Sequence, residues 1–161
     1  MAQANPIPVG SEGLIPHLVC DPAADAIEFY KKAFGAEEVY RMPAPDGKRL
    51  MHAEIRIDGK RVFLVDDFPE FCGGKASSPQ ALGGTPVTIH RYVKDCDAAI
   101  KRAEDAGATV KIPAADMFWG DRYGVVVDPF GHTWSLATHQ RDLSPDEVAK
   151  GMEAAFAQPV S

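Results

Sequence analysis

The sequence predicts an α+β fold built from two βαβββ modules, and three observations carry that prediction. Period-2 strand patterns and a 3.6-residue helix pattern follow one another in the same order twice along the chain. The halves also echo one another. Ala26-Ile27 recurs as Ala99-Ile100 after 73 residues, and Gly35-Ala36 recurs as Gly107-Ala108 after 72, a spacing too long for a solenoid and suited to a duplicated module. Finally, the strands alternate apolar with polar residues, which gives each sheet one side for a helix and one polar side. The organisation that follows is a flexible arm over 1–12, a first module over 13–70, a linker loop over 71–84, a second module over 85–140, and a C-terminal helix and tail over 141–161.

Each element has its own signal. Ile15, His17 and Val19 share one face of a short strand, with Leu18 and Cys20 on the other. Asp21 is placed to cap a helix, with Pro22 in its first turn, where a missing N–H costs nothing. The helix carries apolar residues at Ala23, Ala26, Ile27, Tyr30 and Phe34 and ends at Gly35. Strands follow over Glu37 to Met42, Arg49 to Ile57 and Arg61 to Val65, separated by turn chemistry at Pro45-Asp46-Gly47 and Asp58-Gly59. After Asp66 the chain loosens into a Gly-, Ser- and Pro-rich loop. The second round starts with a strand over Pro86 to Val93. Asp95 then caps a helix with apolar positions Cys96, Ala99, Ile100 and Ala103, closing at Gly107, and strands follow over Thr109 to Ile112, Tyr123 to Val127 and His132 to Thr138. Asp128-Pro129-Phe130-Gly131 reads as a type I turn joining two antiparallel strands. On the last strand Thr133, Ser135 and Ala137 make a small, polar, wetted face, while Trp134 and Leu136 face the core. Ser144-Pro145-Asp146-Glu147 is a capping box ahead of an amphipathic helix bearing Val148, Met152, Ala155 and Phe156, whose stripe is expected to settle either on its own domain or, the favoured reading, on a second subunit of a homodimer.

Composition limits the function classes. With 161 residues, a net charge of -6 and no basic run, the chain is not expected to bind nucleic acid or a membrane surface. The opening MAQANPIPVGSEG lacks the charged and apolar regions of a signal peptide, and no apolar run is long enough to span a bilayer. The expected location is cytoplasmic, with Cys20, Cys72 and Cys96 as reduced thiols rather than a disulfide frame.

The polar faces hold the candidate site. In the third strand His52, Glu54 and Arg56 lie opposite Met51, Ala53, Ile55 and Ile57; in the second module Thr88, His90 and Tyr92 lie opposite Val87, Ile89 and Val93. At the 73-residue offset His17 falls on His90. Two such modules can set their sheets side by side with the helices outside, so that the polar faces line one concave mixed sheet able to take a small organic ligand. Glu54 with His52 is a candidate acid/base pair for proton abstraction beside a carbonyl, or else Glu54 pairs with Arg56 or another cation and does no chemistry. Phe118, Trp119 and Tyr123 are candidates for stacking on a planar ligand. Arg122 can clamp an anion, or pair with Asp121 or Asp128 instead. Trp134 reads as core, and nothing matches a nucleophile elbow, a phosphate loop or a dinucleotide fingerprint.

The run AIEFYKKAFGAEEVYRMP, the HAE of His52 to Glu54, and FWGDRYG with DPFGHTWSL resemble the vicinal oxygen chelate superfamily, and within it the PhnB-like branch of glyoxalase- and bleomycin-resistance-type proteins. The resemblance covers roughly Gly13 to His139 and implies the glyoxalase/bleomycin resistance/dioxygenase-like fold. Its metalloenzyme members hold a divalent cation through His and Glu on the first and last strand of each module, and those positions fall here on Ile15, Phe63, Thr88 and Ser135. Two of these cannot ligate and two are poor neutral ligands. The expectation is a metal-free binding or sequestering protein, with no cofactor and with His17, Arg56, Thr88, His90, Tyr92, Phe118, Trp119, Arg122 and Ser135 around the ligand. The alternative is a metal-dependent lyase, isomerase or dioxygenase holding one divalent ion on a displaced set, His17, Glu54 and His90.

Overall fold

Two four-stranded mixed sheets form, each crossed by one helix of its own, and neither closes into a barrel. The computed structural model describes residues 4–157, so the first residues of the expected arm and the last of the expected tail lie outside the described chain. The chain divides into two compact units between Gly83 and Gly84.

In the first unit the strands are β1 (His17–Val19), β2 (Glu37–Pro43), β3 (Leu50–Ile57) and β4 (Lys60–Val65), ordered β1-β4-β3-β2. β1 runs parallel to β4, which requires a crossover, and helix α1 (Ala23–Phe34) supplies it. Its stripe of Ala23, Ala26, Ile27, Tyr30 and Phe34 is buried with Ala53, Ile55, Ile57 and Leu64 of the sheet. Fully burying a residue such as Ile27 contributes about 1.5–3 kcal/mol. The expected cap does not form. Pro22 occupies the N-cap position after a cis peptide bond, no side chain caps from there, and the Ala23 N–H instead donates to Asp66 Oδ1 at 3.0 Å. The other oxygen of Asp66 takes the Leu50 N–H at 2.6 Å, so one buried carboxylate ties the helix start to two strands.

The second unit repeats the plan with β5 (Thr88–Tyr92), β6 (Thr109–Asp116), β7 (Asp121–Val127) and β8 (Thr133–His139), ordered β5-β8-β7-β6. Here Asp95 does cap its helix, accepting the Ala98 N–H at 2.9 Å. That helix, α3 (Cys96–Asp105), lies against β6, β7 and β8. β6 runs four residues past the expected end at Ile112. It is an edge strand, and its register breaks between Ile112 and Ala115, around Pro113, which is how an edge strand accommodates a residue without an N–H. The turn at Asp128 forms as expected. Its Oδ1 accepts the N–H groups of Phe130 and His132, and its Oδ2 accepts Trp134 Nε1–H at 2.9 Å, which satisfies the one polar atom of a buried indole.

Two further expectations are corrected. The small face of β8 is buried rather than wetted: Thr133, Ser135 and Ala137 lie in a central strand between the larger side chains of β5 and β7. The loop after Asp66 is partly ordered, with a 3-10 turn at Pro69–Phe71 and a short helix α2 (Pro79–Leu82). The buried Asp67 carboxylate holds this segment through the N–H groups of Ser77 and Ser78, both at 2.8 Å. Finally, α4 (Pro145–Phe156) begins with the expected Ser144–Glu147 capping box and buries none of its residues.

Candidate ligand-binding site

Strand register decides which side chains meet. In the second unit His90 pairs with Ser135, Tyr92 with Ala137, and Ala137 with Tyr123, so His90, Tyr92, Tyr123 and Ser135 share one face. From the β6–β7 turn onto that face, five rings touch in sequence. Phe118 meets Trp119 edge-on at 5.0 Å, Trp119 meets Tyr123 at 5.6 Å, Tyr123 lies parallel to His90 at 6.3 Å, and His90 meets Tyr92 edge-on at 4.7 Å. The result is an aromatic arc. His90 is oriented from behind, with its Nδ1 2.7 Å from Ser135 Oγ.

Asp121 closes the arc. Its carboxylate is only 5% exposed and accepts Tyr92 O–H at 3.1 Å and Trp119 Nε1–H at 3.2 Å, so one group holds both flanks. A third partner, His139 Nδ1, stands 2.8 Å away, and the other nitrogen of His139 lies 2.9 Å from Asp142. The hydrogen bonds to Asp142 and then to Asp121 raise the His139 pKa above its ordinary value, and Asp121 likewise raises that of Tyr92, keeping the phenol a donor. Gly120 permits the tight approach of the chain here. It has φ near 102°, and a Cβ at this position would meet the Arg141 carbonyl oxygen at 2.5 Å.

The polar face of the first unit is built differently. His17 lies edge-on to Phe63 at 5.9 Å and to His52 at 6.2 Å, and His52 lies edge-on to Phe63 at 4.8 Å. Burial, and secondarily the charge of His52, lower the His17 pKa, which favours the neutral ring. Glu54 is 8% exposed and pairs with Arg61, its Oε2 lying 3.2 Å from Nη1; Glu54 Oε1 and Arg61 Nε are buried with no protein partner. Arg61 also donates to the Val9 carbonyl at 3.2 Å. The cation that partners Glu54 is therefore Arg61, across the Asp58-Gly59 hairpin, while Arg56 is exposed on the surface.

Several expected residues are thus brought together and others are not. Thr88 is exposed at the start of β5, on the same face as His90. Arg122 points the other way: its guanidinium grips Asp97 of α3 in a bidentate pair and reaches Asp116 at 3.1 Å, rather than Asp121 or Asp128. Sequence reasoning missed Asp121 and His139 as site residues. The alternation of Asp121 with Tyr123 was a usable signal for the first, whereas the second depends on β7–β8 register. A separate recess of about 260 Å³ opens on the first unit beside Met51, Phe68 and Phe71. Its Arg49 is already held by Asp46, Glu70 and the Asp67 carbonyl.

Four positions are those at which the resemblance places the ligands of a divalent cation. Ile15 and Phe63 carry no donor atom, Thr88 offers one hydroxyl, and the Ser135 hydroxyl is engaged by His90. Among the described residues no group of three or more His, Cys, Asp or Glu side chains is placed to hold a metal ion.

Comparison with known proteins gives consistent results. The model of the Glyoxalase/Bleomycin resistance protein/Dioxygenase superfamily matches residues 15–136. The Mycobacterium tuberculosis protein Rv0887c is 57% identical over 141 residues, covering 88% of this chain and 82% of that protein. Among solved structures, the Arabidopsis thaliana At5g48480 product superposes with a TM-score of 0.62 at 30% identity, covering 78% of this chain and 97% of that one. TioX from Micromonospora sp. ML1 superposes with a TM-score of 0.59 at 26% identity, covering 79% and 99%.

Proposed function

Because the chain belongs to the glyoxalase/bleomycin resistance protein/dioxygenase superfamily, we propose that it is a small-molecule-binding protein of the PhnB-like, bleomycin-resistance type that holds a planar organic ligand without a metal. The observation that carries this reading is the aromatic arc from Phe118 to Tyr92, with its flanks tied to one buried carboxylate. Rings held this way lose little entropy when a flat molecule stacks on them, and each aromatic contact contributes about 0.5–1.5 kcal/mol beyond burial. The 61% exposure of Tyr92 leaves ring surface for such a contact. His90 uses Nδ1 for Ser135, which leaves Nε2 as the nitrogen that meets a polar edge of the ligand. Ser135, 2% exposed, supports the imidazole and is too enclosed to act as a nucleophile.

The reading includes two further expectations. The apolar side chains of α4, among them Phe156 at 79% exposed, are taken to settle on a second copy in a homodimer. The free thiols Cys20, Cys72 and Cys96 accord with a reducing cytoplasm. No helix among the described residues is long and apolar enough to cross a membrane.

The test is titration of the purified protein with acridine, a flat tricyclic aromatic, followed by tryptophan fluorescence. Saturable binding that weakens about tenfold in Trp119→Ala, equivalent to about 1.4 kcal/mol, supports the reading. Equal affinity in wild type, Trp119→Ala and Tyr92→Ala overturns it. Stoichiometric Fe, Ni, Zn or Mn in protein purified without chelator would favour the metal-dependent alternative instead.

A further inference from the structure

One residue at the edge of the arc has a bonding pattern that only one of its protonation states can sustain. His139, the last residue of β8, places Nδ1 2.8 Å from Asp121 Oδ1 and Nε2 2.9 Å from Asp142 Oδ1. A neutral imidazole carries one N–H and one lone pair. Between two carboxylates, one of its nitrogens would then present a lone pair to an oxygen lone pair. The imidazolium donates to both, so the bridge as built belongs to the protonated ring.

We propose that His139 is a pH-dependent positioning residue for the aromatic arc: protonated, it ties Asp121 to Asp142 and fixes Tyr92 and Trp119; deprotonated, it releases one carboxylate, and the arc loosens its hold on a stacked ligand. The ligand half of this inference rests on the binding function proposed above. The rest stands on geometry alone. Asp121 is shared among His139, Tyr92 and Trp119, so whatever moves it moves both flanks of the arc. Asp142 belongs to the segment that leads into α4, and that segment is laid against the loop bearing Phe118 and Trp119. The N–H groups of Gln140 and Arg141 both donate to the Gly120 carbonyl at 3.0 Å, and Gly151 of α4 sits against Phe118. His139 is thus a side-chain link between the C-terminal segment and the carboxylate that holds the arc.

Around His139, Asp121 comes from β7, Asp142 from the following segment, and Tyr92 from β5 through its hydrogen bond to Asp121. Arg141, a near neighbour of His139 in sequence, directs Nη2 at the Met117 carbonyl. Both acidic neighbours raise the pKa of His139, so release comes on the alkaline side of its ordinary value near 6.5.

The experiment is a pH titration of the full-length 15N-labelled protein from pH 5.5 to 8.5, following the indole N–H signals of Trp119 and Trp134 and the His139 ring. The expected result is that Trp119 shifts with the His139 midpoint while Trp134, bonded to Asp128, stays still. In His139→Gln the Trp119 titration disappears, and in His139→Lys, which keeps a cation, Trp119 holds its low-pH position throughout. Acridine affinity in wild type falls about three- to tenfold between pH 6 and 8.5, and the His139→Gln variant shows the weaker value at both. A Trp119 signal that ignores the titration of His139, or an unchanged pH profile in His139→Gln, overturns the proposal. Should Trp119 follow His139 while acridine fails to bind at any pH, the latch stands and the binding function falls.

Discussion

In the first unit the row of residues crossing the sheet from β1 to β2 is His17, Phe63, Glu54 and Tyr40; in the second, the same register gives His90, Ser135, Val125 and Ile112. Both rows begin with histidine on a short strand parallel to its neighbour. Beyond that the chemistry separates. The first unit inserts a carboxylate that needs a cation, and Arg61 supplies it from the position where the second unit has Thr133. The second unit has Val125 where the first has Glu54, and it places a buried carboxylate, Asp121, at the strand end, where aromatic donors collect around it. One backbone plan therefore serves two kinds of surface, a paired charge in one unit and an ordered set of rings in the other.

The largest effect is expected at the chain crossing that supports the rings. Gly120→Ala forces a Cβ into the Arg141 carbonyl at a positive φ, at a cost of about 2–4 kcal/mol. Urea unfolding measures it, and a cost under 1 kcal/mol would mean that the crossing is looser than described. The paired charge of the first unit comes next. Glu54→Val alone strands a mostly buried guanidinium and is expected to cost about 2–3 kcal/mol, less than a fully buried pair because both side chains keep some solvent. Adding Arg61→Thr reproduces the residues of the second unit, and the double variant is expected to recover at least half of the loss. A double variant less stable than the single one would break the comparison between the units.

A smaller effect is expected for Trp134→Phe, which keeps most of the buried ring but leaves an Asp128 oxygen without its indole donor; about 1.5–3 kcal/mol is the scale of a hydrogen bond to a charged group. The smallest comes from His139, which is half-exposed. Its pKa is raised by folding, so its stabilisation is full below the unfolded value near 6.5 and is lost as pH rises through the folded value. The melting temperatures of wild type and His139→Gln should therefore differ at pH 6 and converge toward pH 8.5. A gap that widens with pH would contradict the bridge.

The parts of the structure that depend on neighbours in sequence were legible in it. The two βαβββ units, the Asp95 cap, the Ser144 capping box and the Asp128 turn all follow from residues a few positions apart. So did the burial of Trp134, although not the carboxylate that accepts its N–H. What was not legible depends on distance or register. The α1 start is satisfied by Asp66, 43 residues away, while the adjacent Asp21 does not cap it. Arg122 finds Asp97 on a helix face that strand alternation alone does not locate. Asp121 and His139 meet because β7 and β8 pair in one register, and shifting that register by one residue would turn one of them away from the other.

Chemical-shift mapping of acridine on the full-length protein tests the central claim most directly. At saturation the side-chain signals of His90, Tyr92, Trp119 and Tyr123 should move together along one binding curve. Saturable binding that leaves those four signals in place, or no saturable binding at all, would contradict a ligand held on the aromatic arc.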